Sequence, residues 1–222
     1  MAILRMFKNS ALELKNVRCL TVTAMLIALN LVLKSVTVYL SEDLKLTFSF
    51  LALAAIGMLF GPTVSFMAGI ITDILGMLLA QTMGAFNPLF TIVEATGAMI
   101  YGMFLYGMKY VKIDFKGMNV SSFLKLISHI WRIIVAKLTV VIVCNVILNP
   151  LAMIIAEYWT WEVAVKVKIP ARLIKYAIQT PVDWVLMVLV LYPVLLAYKT
   201  VFRNKSAVVE TKDNTAKING GC

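Results

Sequence analysis

Long apolar runs separated by short polar stretches dominate the chain. A helix needs roughly 20 apolar residues to cross a hydrocarbon core about 30 Å thick, and six segments qualify: 19–39, 47–61, 62–80, 88–108, 126–156 and 170–198. The second and third segments are short and meet at a tight turn formed by Gly61 and Pro62. Pro150, Pro181 and Pro193 predict kinks in the last two segments. The pattern therefore predicts six transmembrane helices.

The composition agrees with a lipid environment. Hydrophobic residues make up 61% of the chain and charged residues 14%, and the mean hydropathy is +0.90, whereas soluble domains are about 45–50% apolar. We therefore expect an all-α integral membrane protein. Its six helices form one domain, residues 19–200, between an N-terminal segment, 1–18, and a basic and polar tail, 201–222, that is predicted to be disordered.

The positions of lysine and arginine predict the orientation. Loops and tails hold 16 of these residues, and 13 of the 16 lie in the N-terminal segment, the loop after the fourth helix and the C-terminal tail. With six helices these three regions share one side, so both termini are predicted to be cytoplasmic. The net charge of +10 then lies mostly beside the membrane, where it attracts anionic lipid rather than nucleic acid.

A basic N terminus followed by an apolar run is also typical of a secretory signal peptide. Lys34 interrupts this run, which then resumes, and no small-x-small cleavage site follows it. We therefore expect the first helix to remain in the mature protein.

Several charged and amide residues fall inside the predicted helices. A charge in the middle of a bilayer costs at least about 2.5–3.5 kcal/mol, so such groups are expected to face a cavity, a partner or a ligand. Most of them lie in the half of the bilayer nearer the predicted outer surface. Among them, the basic residues outnumber the carboxylates. This favours an outward-facing pocket for an anionic solute. The residues are Lys34, Asp73, Glu94, Arg132, Lys137, Asn145, Asn149, Arg172, Lys175 and Asp183.

Less specific interpretations of the same residues remain open. Asp183 could form an internal ion pair with Arg172 or Lys175 that only orients helices, and His129 is more typical of a satisfied interfacial histidine than of a ligand. The chain has no Walker lysine loop, H-E-x-x-H or G-x-S-x-G motif. We therefore expect no enzyme activity, cofactor or metal site, and any ATP must be hydrolysed by another subunit.

Two alanines in the first helix, Ala24 and Ala28, lie four residues apart and predict a shallow strip on one helix face. Strips of small residues allow another helix to approach closely. That helix could belong to a partner protein or to the same bundle.

Five stretches of the chain resemble the substrate-binding S components of energy-coupling factor (ECF) vitamin transporters, and within them the folate group. The resemblance covers about residues 19–200, and the sequence departs from it where Leu89 stands in place of an expected glycine. The stretches are LTVTAMLIALN (20–30), KLTFSFLALAAIGMLFGP (45–62), AGIITDILG (68–76), FTIVEATGAMIYG (90–102) and IPARLIK (169–175).

The resemblance implies a six-helix vitamin receptor in the plasma membrane of a bacterium. It would dock through Ala24 and Ala28 on an ECF module, which consists of a transmembrane coupling protein and two ATP-binding subunits. Loops at about 40–46, 81–87 and 157–169 would close over the ligand.

Folate chemistry agrees with the polar residues. The 2-amino-4-oxo edge of its pterin can donate to a carboxylate, and its glutamate end is a dianion. We expect Asp73 or Glu94 at the pterin and Arg172, Lys175 and Lys137 elsewhere around the ligand, with Asn145 also in the site. The candidates for stacking on the ligand are Phe48, Phe86, Phe90, Trp161 and Tyr176.

Two rival functions follow from the same residues. The nearer one is an S component for another vitamin or vitamin precursor. The more distant one is a stand-alone proton-coupled carrier that uses Asp73 and Glu94 as titrating groups.

Overall fold

The computed structural model describes residues 2–36, 38–39, 45–80, 87–108, 120–156 and 169–219. Within these ranges the fold is helical, apart from a two-residue antiparallel pairing of β1 (Val38–Tyr39) with β2 (Lys45–Leu46). The helices are α1 (Ala2–Glu13), α2 (Val17–Ser35), α3 (Phe50–Phe60), α4 (Pro62–Ala80), α5 (Pro88–Leu105), α6 (Val120–Val140), α7 (Asn149–Ile155) and α8 (Ile169–Asn219).

Each of the six predicted segments contains a helix, although the first, 19–39, ends in β1 after α2 has ended at Ser35. Five of the described helical stretches are long and apolar enough to cross a membrane: Val17–Ser35, Pro62–Leu79, Pro88–Leu105, Ser128–Ile155 and Lys175–Thr200. The second segment corresponds to α3, whose 11 residues extend only about 16 Å at 1.5 Å per residue. The all-α membrane fold is thus confirmed, whereas the count of six spans and the cytoplasmic termini stay predictions.

Both ends of the chain contain helix that the sequence did not predict. The N-terminal segment forms α1, and α8 continues to Asn219 through most of the tail for which no regular structure was expected.

Helix α1 is joined to the turn between α3 and α4 by a buried serine. The hydroxyl of Ser10 donates to the carbonyl oxygen of Phe60 at 2.7 Å and accepts from the backbone N–H groups of Thr63 at 3.1 Å and Val64 at 3.3 Å. Helix ends leave such backbone groups without intrahelical partners. Ser10 therefore caps the end of α3 and the start of α4 at once.

Helices α3, α4 and α5 pack with their backbones almost in contact. A Cβ atom on Gly57 would lie 2.6 Å from the backbone nitrogen of Gly102, and a Cβ atom on Gly102 would lie 2.5 Å from Cα of Pro62. Each distance is too short for any side chain, so glycine is required at both positions. Gly57 and Gly102 thus serve packing within this bundle.

The fifth predicted segment is one continuous but irregular helical stretch. Between α6 and α7 the residues Val141–Leu148 form a π-helix, and Pro150 follows in the first turn of α7. Proline lacks the N–H that a regular helix would use, and π-helical turns frequently occur at functional sites. Cys144 and Asn145, on this turn, line the cavity described below.

We predict that Gly102→Ala destabilises the protein by about 1–3 kcal/mol, because the added methyl group overpacks the contact with α4. Gly97→Ala on the same helix is the matched control, since its Cβ would be 3.6 Å from the nearest atom, Sγ of Cys144. Thermal unfolding in detergent checks this. Equal melting temperatures for the two variants would contradict the packing argument.

Candidate solute-binding cavity

A cavity of about 420 Å³ lies among α3, α4, α5, α6, the π-helical turn, α7 and α8. Its volume is within the usual range of roughly 300–1,000 Å³ for small-molecule sites. Aromatic and aliphatic side chains line it together with polar ones, as is usual for such sites. The polar residues that line it are Thr47, Ser49, Asp73, Glu94, Tyr101, Lys137, Asn145, Asn149, Lys175, Tyr176, Gln179 and Asp183.

Most of the residues predicted for the site meet in this cavity. Asp73, Phe90, Glu94, Lys137, Asn145, Lys175 and Tyr176 all line it. Phe48 packs instead against the adjacent hydrophobic core. Trp161 and Phe86 lie outside the described residues, as do most of the loops expected to close over the ligand.

Arg172 lies beside the cavity rather than in its wall. Its guanidinium donates to Oδ1 of Asn149 at 2.8 Å and to the backbone oxygen of Asn145 at 3.3 Å. Both asparagines line the cavity, as does Lys175 one turn further along α8. We call this end of the cavity, formed by Asn145, Asn149 and Lys175, the mouth.

An ion pair connects α2 with the cavity wall on α5. Lys34 Nζ lies 2.6 Å from Oε1 of Glu94, and Lys34 also donates to the backbone oxygen of Thr72 on α4 at 3.4 Å. Next to this pair, the Asp73 carboxylate accepts a 2.6 Å hydrogen bond from the Thr91 hydroxyl. Both carboxylates on this side of the cavity therefore already have partners within the protein.

A second ion pair connects α6 with α8. Lys137 Nζ lies 2.9 Å from Oδ2 of Asp183, and the two side chains are only 8% and 2% exposed. The ammonium also lies 3.6 Å from the centre of the Phe50 ring, a favourable cation–π geometry. The suggested pairing of Asp183 with Arg172 or Lys175 is therefore wrong. Those residues are eight or more positions away on the same helix, whereas α6 brings Lys137 directly opposite.

We call the end of the cavity at this ion pair, formed by Tyr101, Lys137, Gln179 and Asp183, the floor. Tyr101 and Gln179 were not among the predicted site residues. A usable signal existed for Gln179, because it lies three residues after Tyr176 and four before Asp183 and so shares their face of α8. No local pattern distinguishes Tyr101 from the other aromatic residues of the core.

Residues 18–199 match the sequence model of the family described as ECF transporter, substrate-specific component. The chain belongs to this family. The resemblance noted from the sequence is confirmed, and the protein is a membrane transport component rather than an enzyme.

A curated folate transporter and a solved structure are similar to this substrate-specific component. The "Folate transporter FolT" of Clostridium novyi (strain NT) is 28% identical over 169 residues, which are 76% of this chain and 85% of that protein. The solved "Crystal structure of FolT bound with folic acid" is 26% identical with a TM-score of 0.60, covering 78% of this chain and 91% of that one.

The alanine strip of the substrate-specific component lies on the outside of the described bundle. Ala24 and Ala28 are exposed, while the intervening Ile27 is buried. Both alanines line an apolar groove of about 460 Å³ between α2 and α4. The strip is therefore open to another helix, and it is not used for packing among the described helices.

We predict that Lys137→Met costs about 3–5 kcal/mol of stability, because it leaves the Asp183 carboxylate buried without its counter-charge. The double variant Lys137→Met/Asp183→Leu removes both charges and should be more stable than Lys137→Met alone. Thermal unfolding of the ligand-free protein in detergent measures both. If the double variant is no more stable than Lys137→Met alone, the two residues are not energetically coupled.

Proposed function

We propose that this chain binds folate in the cavity and acts as the substrate-binding subunit of an ATP-driven ECF importer in a bacterial plasma membrane. The observation that carries the proposal is the likeness to FolT bound with folic acid over 78% of this chain, together with a cavity of suitable size in the same bundle. Folate would be bound from outside and delivered inward.

The charges around the cavity support an elongated anionic ligand. The mouth carries Lys175, with the Arg172 guanidinium attached to its two asparagines. A dianionic glutamate group at the mouth would gain charge-assisted hydrogen bonds. Phe90 and Tyr176, which also line the cavity, offer ring faces to the flat part of the ligand.

The energy for import would come from partner subunits. The exposed strip of Ala24 and Ala28 supports docking on a transmembrane coupling protein, because its apolar groove can receive a helix at close range. Two ATP-binding subunits would complete the module, as the family assignment implies.

A binding titration tests the proposal. The purified chain alone is expected to bind folic acid without ATP and without an ion gradient, since binding is assigned to this subunit only. A Lys175→Met variant should lose about 1.5–3 kcal/mol of folic acid affinity, the usual contribution of a hydrogen bond to a charged group, or roughly ten- to a hundredfold. Calorimetry with folic acid and a panel of other vitamins measures this.

Two other results, one from the titration and one from vesicle uptake, would identify the rival functions. Tight binding of a different vitamin, with none of folic acid, would indicate an S component of another specificity. Uptake of solute by vesicles containing this chain alone, driven by a proton gradient, would indicate a stand-alone carrier.

Substitutions in the alanine strip test the coupling partnership. We predict that Ala24→Trp and Ala28→Trp abolish folate uptake by cells that contain the ECF module, because the indole fills the groove, while folic acid binding survives. Met25→Trp is the matched control, since Met25 is 69% exposed on a neighbouring face of the same helix. Loss of binding together with uptake would place the strip inside the fold.

A further inference from the structure

Three buried polar atoms at the floor of the cavity lack a hydrogen-bond partner within the described part of the chain. They are the Tyr101 hydroxyl, Oε1 of Gln179 and Oδ1 of Asp183. All three side chains line the cavity, and Tyr101 and Asp183 are each only 2% exposed. Buried polar groups in proteins are nearly always hydrogen-bonded. The floor therefore offers an unused set of polar atoms to a ligand.

The ion pair between Lys137 and Asp183 holds these unpartnered atoms of the floor in position. Oδ2 of Asp183 is held by Lys137, and the Gln179 amide lies close to the same carboxylate, so Oδ1 and Oε1 remain as two neighbouring acceptors. The Lys137 ammonium has three N–H groups and can donate to a ligand while it keeps Asp183. The floor thus presents two acceptors beside a cationic donor.

We propose that the floor recognises the 2-amino-4-oxo edge of a pterin, with Gln179 and Asp183 accepting from its 2-amino and ring N–H groups. Lys137 and the Tyr101 hydroxyl donate to the 4-oxo oxygen. The edge presents donor, donor and acceptor in a row, which is the complement of the atoms at the floor. This assignment rests on the proposed folate function and specifies which side chains recognise the pterin ring.

The assignment differs from the sequence expectation, which placed Asp73 or Glu94 at the pterin. Each of those carboxylates has one oxygen engaged, Asp73 by Thr91 and Glu94 by Lys34. Asp183 differs because its second oxygen is buried without a partner in the described part of the chain.

The floor and mouth also fix the direction of the ligand. Along α8, Asp183 follows Lys175 by eight residues, which is about 12 Å at 1.5 Å per residue. At the floor, the glutamate dicarboxylate of folate would be repelled by the Asp183 carboxylate. At the mouth, the same group would be attracted by the Lys175 ammonium. The pterin therefore enters first and the glutamate remains at the mouth.

Three compounds test the recognition in the full-length chain: folic acid, 2-amino-4-oxopteridine and 2,4-dioxopteridine. The last carries an acceptor where the 2-amino donor was, so wild-type protein should bind it at least tenfold more weakly than 2-amino-4-oxopteridine. Gln179→Met removes one acceptor and should weaken binding of folic acid and the 2-amino compound by about tenfold. It should also reduce the preference between the two pteridines.

Three further variants separate recognition from folding. Tyr101→Phe leaves the ion pair intact and should weaken all three ligands severalfold, because a donor to their 4-oxo oxygen is lost. Asp183→Asn should cost more affinity than Asp73→Asn. Thermal unfolding without ligand identifies any variant that fails to fold, and Gln179→Met and Tyr101→Phe do not depend on the charge pair.

The possible results distinguish this inference from the function on which it rests. If the wild-type protein binds none of the three compounds, the folate function itself is wrong. If it binds folic acid while Gln179→Met and Tyr101→Phe keep wild-type affinity and preference, only the assignment of the floor is wrong. A larger loss from Asp73→Asn than from Asp183→Asn would also overturn it and would place the pterin at the wall formed by α4 and α5.

Discussion

Charges buried in hydrocarbon need partners, and this constraint organises the bundle. An unpaired charge at the bilayer centre costs at least about 2.5–3.5 kcal/mol, and the chain meets the requirement with ion pairs that join separate helices. Lys34 on α2 pairs with Glu94 on α5, and Lys137 on α6 pairs with Asp183 on α8. Because three of these four residues also line the cavity, the contacts that hold the helices together also supply the polar lining of the site.

The helices around the cavity differ in how they pack. On one side α3, α4 and α5 touch backbone to backbone through Gly57 and Gly102, which leaves no room for rearranged side chains. On the other side α6 continues through a π-helical turn and Pro150, where the regular hydrogen-bond ladder is interrupted. A regular wall thus faces an irregular one, and the irregular wall supplies the asparagines of the mouth.

The features of the fold and site that depend on local sequence pattern could be predicted. Hydropathy located the six helical segments, and the cost of buried charge identified most of the polar lining. What sequence reasoning missed depends on contacts between distant positions. The partner of Asp183 is 46 residues away, at Lys137, and α1 is held by Ser10, whose partner Phe60 is 50 residues away. Gln179 is a different case, because a local signal existed: it shares one face of α8 with Tyr176 and Asp183.

The most direct test of the central claim is to identify the molecule that this chain carries when it is purified from a cell membrane. Native mass spectrometry, with the released ligand then identified by its own mass, requires no assumption about which compound to add. The account predicts one folate molecule per chain in wild-type protein and a reduced occupancy in Gln179→Met. A chain that carries a vitamin without a 2-amino-4-oxo edge in this cavity would contradict it.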